Sequence, residues 1–385
     1  SQGGLSKVRK IADLPSAMLA SSIVSSNGLG AFNQIDLDKV LTGKIASVTP
    51  FIDQYTEGFD GNSSVKDFET MLQLIYLNFT AVRKDDNSFK ALMNMYNASL
   101  VNRANDPRSA FSDSVNVWIT NKHPRNVIVN VDMLKKVDQD KAIAFFKERF
   151  ALPADFTFVF TGNVNPEDEA VKNAVLTYLG GLKSLRKTEV FTDNNIRKPQ
   201  GEVKNYFTKE MKINKASNFI LYNASLPYNV QTRTLMTAIG NILSMRYLES
   251  IREKEGGSYG VGVRGAMSNL PVPEATLLMQ FDTDPEKQEK LMGIIHAEVV
   301  EIVKNGPRPE DVQKVKENML KKINEDLAEN SWWESAIVRL YQDKLNLVTD
   351  YKASVDAINP LLIQETLKKV TEQGNVLEVV MLPAK

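Results

Sequence analysis

The chain has 385 residues, 43% of them apolar and 24% charged, and its 47 basic and 47 acidic side chains leave no formal net charge. With no basic excess there is no electrostatic case for nucleic acid, and no apolar run reaches the ~18 residues of a membrane-spanning helix. Cysteine is absent and only His123 and His296 represent histidine, which removes disulfides, thiolate metal sites and a cysteine nucleophile and leaves no histidine cluster for a metal.

The opening "SQGGLSK" lacks the charged and apolar regions of a signal peptide. Residues 36–43 and 65–77 carry apolar side chains at three- and four-residue spacing and predict helices. Ala142, Phe145, Phe146 and Phe150 predict another, which breaks at Pro153 before a strand over 156–160. Residues 191–203, "FTDNNIRKPQGEV", are polar around Pro199 and Gly201 and read as a linker between a domain over 1–190 and one over 204–385. In the second half, 219–226 and 275–281 alternate as strands, while 232–254 and 285–305 read as helices. The last helix carries Ile358, Leu362, Leu367 and Val370; it breaks at Gly374 before a strand over 376–382. Each half therefore closes on helix, turn and apolar strand, a weak internal repeat. The expected class is α+β: two homologous domains, each an antiparallel-rich sheet packed with helices.

One stretch stands apart, "SIREKEGGSYGVGVRG" at 250–265. The stripe Leu235, Ile239, Ile242, Leu243, Tyr247 and Ile251 predicts a long helix to about Glu255, ended by Gly256-Gly257 in the left-handed conformation. Tyr259, Val261 and Val263 then alternate with Gly260 and Gly262 as a strand with one bare face, open to another backbone or a ligand. The turn brings Arg252 within reach of Tyr259. A guanidinium fork and a neutral hydroxyl aimed at one point suit a carbonyl becoming an oxyanion. Neither group is a nucleophile or a strong metal ligand. Ordinary reasons also exist for each residue: a cation in the last helical turn answers the helix dipole, and glycine is the usual cap.

Other features carry less. His123 precedes Pro124 and reads as a turn residue. His296 flanks the stripe Met292, Ile295, Val299 and Ile302 and reads as a helix-surface histidine. Trp332-Trp333 fit a core or interface better than a ligand chamber. The glycines at 260, 262 and 265 lack the spacing and following helix of a nucleotide loop. Ser112 and Ser114 have no partner histidine for serine hydrolysis.

The 250–263 segment closely resembles the arginine–tyrosine motif in the C-terminal half of pitrilysin- and insulysin-type zinc metallopeptidases, the inverted zincins. The flanking "NFILYNASLPYNVQTRTLMTAIGNILSMRYLE" is similar to that family's strand and long helix. "ENSWWESAIVRLYQDKLNLVTDYKASVDAIN" resembles its later helix pair, and "FVFTGNVNPE" its domain-closing strand. The resemblance implies a LuxS/MPP-like metallopeptidase fold across nearly the whole chain. The family's zinc motif is H-x-x-E-H with a further glutamate on a later helix. The matching positions here hold Ala17, Ala20 and Ser21, then Ala98 and Ser99, so no metal ligand is expected in this chain. By the same resemblance, "GGLS" follows a domain's first strands, so the opening strands of the first domain are expected to lie upstream.

The resemblance implies the C-terminal, non-zinc half of a zinc-dependent endopeptidase, inactive alone. It would form half of a peptide chamber in which Tyr259 donates to the scissile carbonyl and Arg252 holds a substrate carbonyl. Zn2+ would come from a zinc-bearing N-terminal half or a sister subunit, and the substrate would be a peptide or unfolded protein. The alternatives are a separate non-catalytic partner subunit and a degenerate scaffold. Similarity to exported bacterial forms implies a periplasmic location.

Overall fold

In a computed structural model of the protein, every residue is described except Ala104, Arg186, Gly257, Tyr259 and Lys385. The chain forms two compact units, 1–105 with 127–195, and 106–126 with 196–385.

In the first unit, β1 (Ala46–Ile52) and β2 (Glu57–Ser63) form an antiparallel hairpin, closed where the Asp53 amide donates to the Thr56 carbonyl at 2.8 Å. Helices Ala20–Asn27 and Phe68–Thr80 pack on it, and Asp86–Arg103 and Gln139–Arg149 pack on Ala20–Asn27. Ala20, Ile23 and Val24 meet Ala142, Ile143, Phe146 and Phe150 in one apolar cluster, while Phe68, Met71, Leu72 and Ile75 build a second. The expected strand at 156–160 joins no ladder among the described residues. Its alternation is nonetheless met by packing. Phe156 lies against Phe59 and Phe79, Phe158 against Phe79, and Phe160 against Phe68. A period of two specifies which side is buried and says nothing of the hydrogen-bonding neighbour.

The second unit is built on five strands. They are β3 (Glu202–Lys209), β4 (Ala216–Ala224), β5 (Gly262–Ser268), β6 (Glu274–Thr283) and β7 (Val376–Pro383), in the order β3-β7-β4-β6-β5. β3 and β7 run parallel and the other pairs antiparallel. β4 is buried along its whole length, as expected of a central strand covered on both faces. On one face Ile220, Tyr222 and Val380 pack with Leu235, Ile239, Ile242 and Leu243 of helix Val230–Tyr247, and with helices Gln288–Asn305 and Pro360–Thr371.

The other face, with Phe219, Leu221, Leu377, Val379 and Met381, is covered by Phe111 of helix Pro107–Ile119. The sequence reading puts residues 106–126 in a domain ending at 190; the structure groups them with the second unit instead. The reason is local. Asp106 caps this helix through the amides of Arg108 and Ser109, and Pro107 occupies its first turn. Phe111, Val115 and Trp118 then form a stripe matched to the sheet's second face.

Candidate functional site

Asn229 opens the long helix by accepting from the Thr232 amide at 2.8 Å. Near the helix's far end, Tyr247 is fully buried and its hydroxyl donates to the Ile295 carbonyl at 3.0 Å, while Arg246 pairs with Glu298 at 2.9 Å. The α-helix stops at Tyr247 and widens over Leu248–Glu253, where the Lys254 amide reaches back five residues to the Glu249 carbonyl at 3.2 Å. Such widened turns hold an extra residue and recur at functional sites. Ile251 stays wholly buried, and Arg252 beside it is exposed. Among the described residues, the Arg252 guanidinium makes no hydrogen bond or ion pair. Gly256 takes φ +54, the left-handed turn expected of it; Gly257 and Tyr259 lie outside the described residues.

The widened turn is clamped through Glu249. Its carboxylate accepts from both Nη1 and Nη2 of Arg308, at 3.0 and 2.8 Å. Arg308 also donates from Nε to buried Asp311 at 2.7 Å. The hydrogen bonds from Arg308 outweigh partial burial and hold the Glu249 carboxyl below its ordinary range.

Past the turn, Val261 is buried and β5 begins at Gly262, an edge strand pairing only with β6 among the described residues. A side chain at Gly260 would meet nothing within 4 Å, and one at Gly262 only the Gln280 carbonyl at 3.6 Å. The bare face foreseen for this strand is therefore open here. On the same face, Gln280 leads to a cavity of about 300 Å³ lined by Arg108, Phe111, Phe219 and Asp282.

The positions where the resemblance would require zinc ligands do not fit a metal. Ala17 and Ala20 are buried in apolar surroundings, and Ala98 and Ser99 lie exposed on helix Asp86–Arg103. Among the described residues, no group of three histidine, aspartate or glutamate side chains could hold a metal.

His123 sits in a turn, its ring nitrogen accepting from the Arg125 amide. His296 differs from expectation. It is no isolated surface residue, because Nδ1 lies 2.5 Å from the Tyr222 hydroxyl and Nε2 lies 3.0 Å from Glu378. The carboxylate can only accept, so Nε2–H donates to it, while Nδ1 meets the Tyr222 hydroxyl. Tyr206 donates to the other Glu378 oxygen at 2.8 Å. Burial, with that bond to Glu378, pushes the Tyr206 hydroxyl up to about 12. Trp332 and Trp333 stand edge to face at 5.0 Å on helix Asn330–Asp343. Sequence reasoning missed the Arg308 clamp and the Glu378 cluster. A lone glutamate inside "VLEVVML" was the available signal for the second.

Residues 136–319 match the family described as the peptidase M16 inactive domain. A zinc protease PQQL-like protein of Arabidopsis thaliana is 26% identical over 335 residues, covering 83% of this chain and 35% of its own length. The chain spans about a third of the length of the curated relatives it matches. Among solved structures, the periplasmic protease PqqL from Escherichia coli aligns with a TM-score of 0.85 at 19% identity, covering 100% of this chain and 42% of that one. The first half of the same protease aligns at 0.75 and 10% identity, covering 99% of this chain and 85% of that one. At these identities the likeness to solved structures is one of fold.

Proposed function

From the match of residues 136–319 to the peptidase M16 inactive domain and the likeness to zinc proteases, we propose that the chain is the C-terminal half of a zinc-dependent metalloendopeptidase and supplies transition-state contacts to a reaction centred elsewhere. The observation carrying this reading is Arg252. It is exposed and unengaged among the described residues, on a widened helical turn that leads into a glycine-bearing edge strand. An edge strand can take an extended peptide as an added strand through its free backbone groups. A peptide held along β5 would lie beside the bare Gly260–Gly262 face, with Arg252 donating to one of its carbonyls. Tyr259 donates to the scissile carbonyl oxygen as negative charge develops there.

The zinc ion, held in a partner half, supplies the Lewis acidity. The partner is the N-terminal half of the same protein or a sister subunit, and the substrate is a peptide or unfolded protein. The resemblance to a protease described as periplasmic supports the same compartment for this chain. No helix among the described residues is long and apolar enough to cross a membrane.

Complementation tests the reading. The purified chain should not hydrolyse a quenched fluorogenic peptide, and adding the zinc-bearing half should produce hydrolysis that a chelator abolishes. Chelator-insensitive hydrolysis by this chain alone would overturn it, as would equal activity of the zinc-bearing half without it.

A further inference from the structure

Arg252 projects from a turn whose hydrogen bonding is not that of an ordinary helix. The turn has three ties to its surroundings. Before it, Tyr247 and Arg246 are bound to the helix Gln288–Asn305 at Ile295 and Glu298. After it, Glu255 pairs with Lys290 of the same helix. Within it, the only tie to a charged side chain among the described residues is Glu249, whose carboxylate lies in the two-point grip of Arg308. Glu249 is also the residue whose carbonyl accepts the five-residue bond from Lys254. The grip and the widening therefore meet at one residue.

Arg308 is itself fixed. It precedes helix Pro309–Asp326, and its Nε and Nη2 bond the carboxylate of Asp311, which is 2% exposed. A guanidinium held on one edge by a buried acid presents its remaining donors in a set direction, which an ammonium cannot do. If the widened turn relaxed to an ordinary α-helix, later residues would shift by one position, roughly 100° around the axis at 3.6 residues per turn. Arg252 would then turn away from its present direction.

We infer that Arg308, through its grip on Glu249, is a positioning residue that holds the widened turn and so sets the direction in which Arg252 is presented. The proposal deepens the functional reading above and rests on it for its consequence in catalysis. The clamp itself is testable without that reading.

The experiment uses the full-length enzyme carrying Glu249→Ala, which spares the Arg308–Asp311 pair, alongside Arg308→Lys, Arg252→Ala and the double variant of Glu249 and Arg252. Amide exchange at Lys254 and Gly256 is the first readout, and it should quicken at least tenfold in Glu249→Ala. Unchanged exchange there would overturn the clamp whatever the activity. Turnover of a quenched fluorogenic peptide is the second. Glu249→Ala should lower it roughly tenfold to a hundredfold, as misplacement of a substrate-positioning group does. Arg308→Lys should fall between it and wild type. In the Arg252→Ala background, Glu249→Ala should change turnover less than twofold, because the residue it positions is gone. Effects that multiply would overturn the positioning role and leave the functional reading standing. An Arg252→Ala enzyme with wild-type turnover would instead remove the functional reading, and the exchange data would still decide the clamp.

Discussion

Gly240 in the long helix and Gly265 in β5 meet backbone to backbone. A Cβ added at Gly265 would sit 1.8 Å from the Met236 carbonyl oxygen, and one at Gly240 would sit 2.6 Å from the Gly265 amide nitrogen. Neither obstacle is a side chain that could swing aside. The contact draws the edge strand onto the helix carrying the site, so β5 and the turn before it share one rigid support. Overpacking of this kind typically costs about 1–3 kcal/mol and sometimes more. Gly265→Ala is expected at the upper end of that range, measured as a lowered urea midpoint at unchanged slope. Gly262→Ala, facing open space on the other side, should stay within ~0.5 kcal/mol of wild type. A loss of peptidase activity in that stable variant would mark the bare face as a place where substrate lies.

The proposed roles of Arg252 and Tyr259 make a sharper demand. Removing one donor from an oxyanion site costs about 10²–10³ in turnover. Tyr259→Phe in the assembled enzyme should fall in that range, and near-wild-type turnover would end its role. Arg252 is exposed, so Arg252→Ala should leave stability within ~0.5 kcal/mol while lowering kcat/KM. Arg252→Lys keeps the charge but loses the planar fork and should recover only part of the activity.

Glu378 predicts a pH dependence. Burial alone would raise its carboxyl, but hydrogen bonds from His296 and Tyr206, with the nearby charges of His296 and Lys204, outweigh burial and hold it below its ordinary value of 4.5. An acid whose folded pKa is depressed contributes stability that is complete above its unfolded value and is lost as pH falls through its folded value. The wild-type melting temperature should therefore drop on acidification below about 4.5. Glu378→Gln should lose that part of the acid limb and be less stable at neutral pH by about 1–3 kcal/mol, because its amide nitrogen leaves one of the two donors without an acceptor. Melting curves between pH 3 and 7 test both points. An unchanged acid limb in the variant would assign the acid sensitivity to other groups.

What the sequence revealed and what it hid divide along a physical line. Strands β4, β6 and β7 and the long helix were legible because apolar period is a local property and these elements bury what their period marks. Within 250–265, the left-handed turn at Gly256 was legible from its glycine pair. The widened turn was not: Tyr247 and Ile251 are four apart, as an ordinary helix would have them, and the change lies in backbone bonds that leave the apolar stripe intact. His296 was misjudged because its partners Tyr222 and Glu378 are 74 and 82 residues away. The segment at 156–160 showed its buried side but could not name a strand neighbour.

Helix Pro107–Ile119 gives the last prediction, because its sequence position and its packing point to different units. Phe111 is 5% exposed and lies with Phe219, Leu221, Leu377, Val379 and Met381, on the sheet face away from the long helix. Without Phe111, the two central strands would face a void on that side. Phe→Ala in a core typically costs about 3–5 kcal/mol, so Phe111→Ala should weaken the second unit even though the residue lies far before the linker. Amide exchange at Val379 and Met381 in β7 should accelerate, while amides of Leu72 and Ile75 in the first unit keep their wild-type protection. The reverse pattern would return residues 106–126 to the first unit, where their sequence position alone would put them.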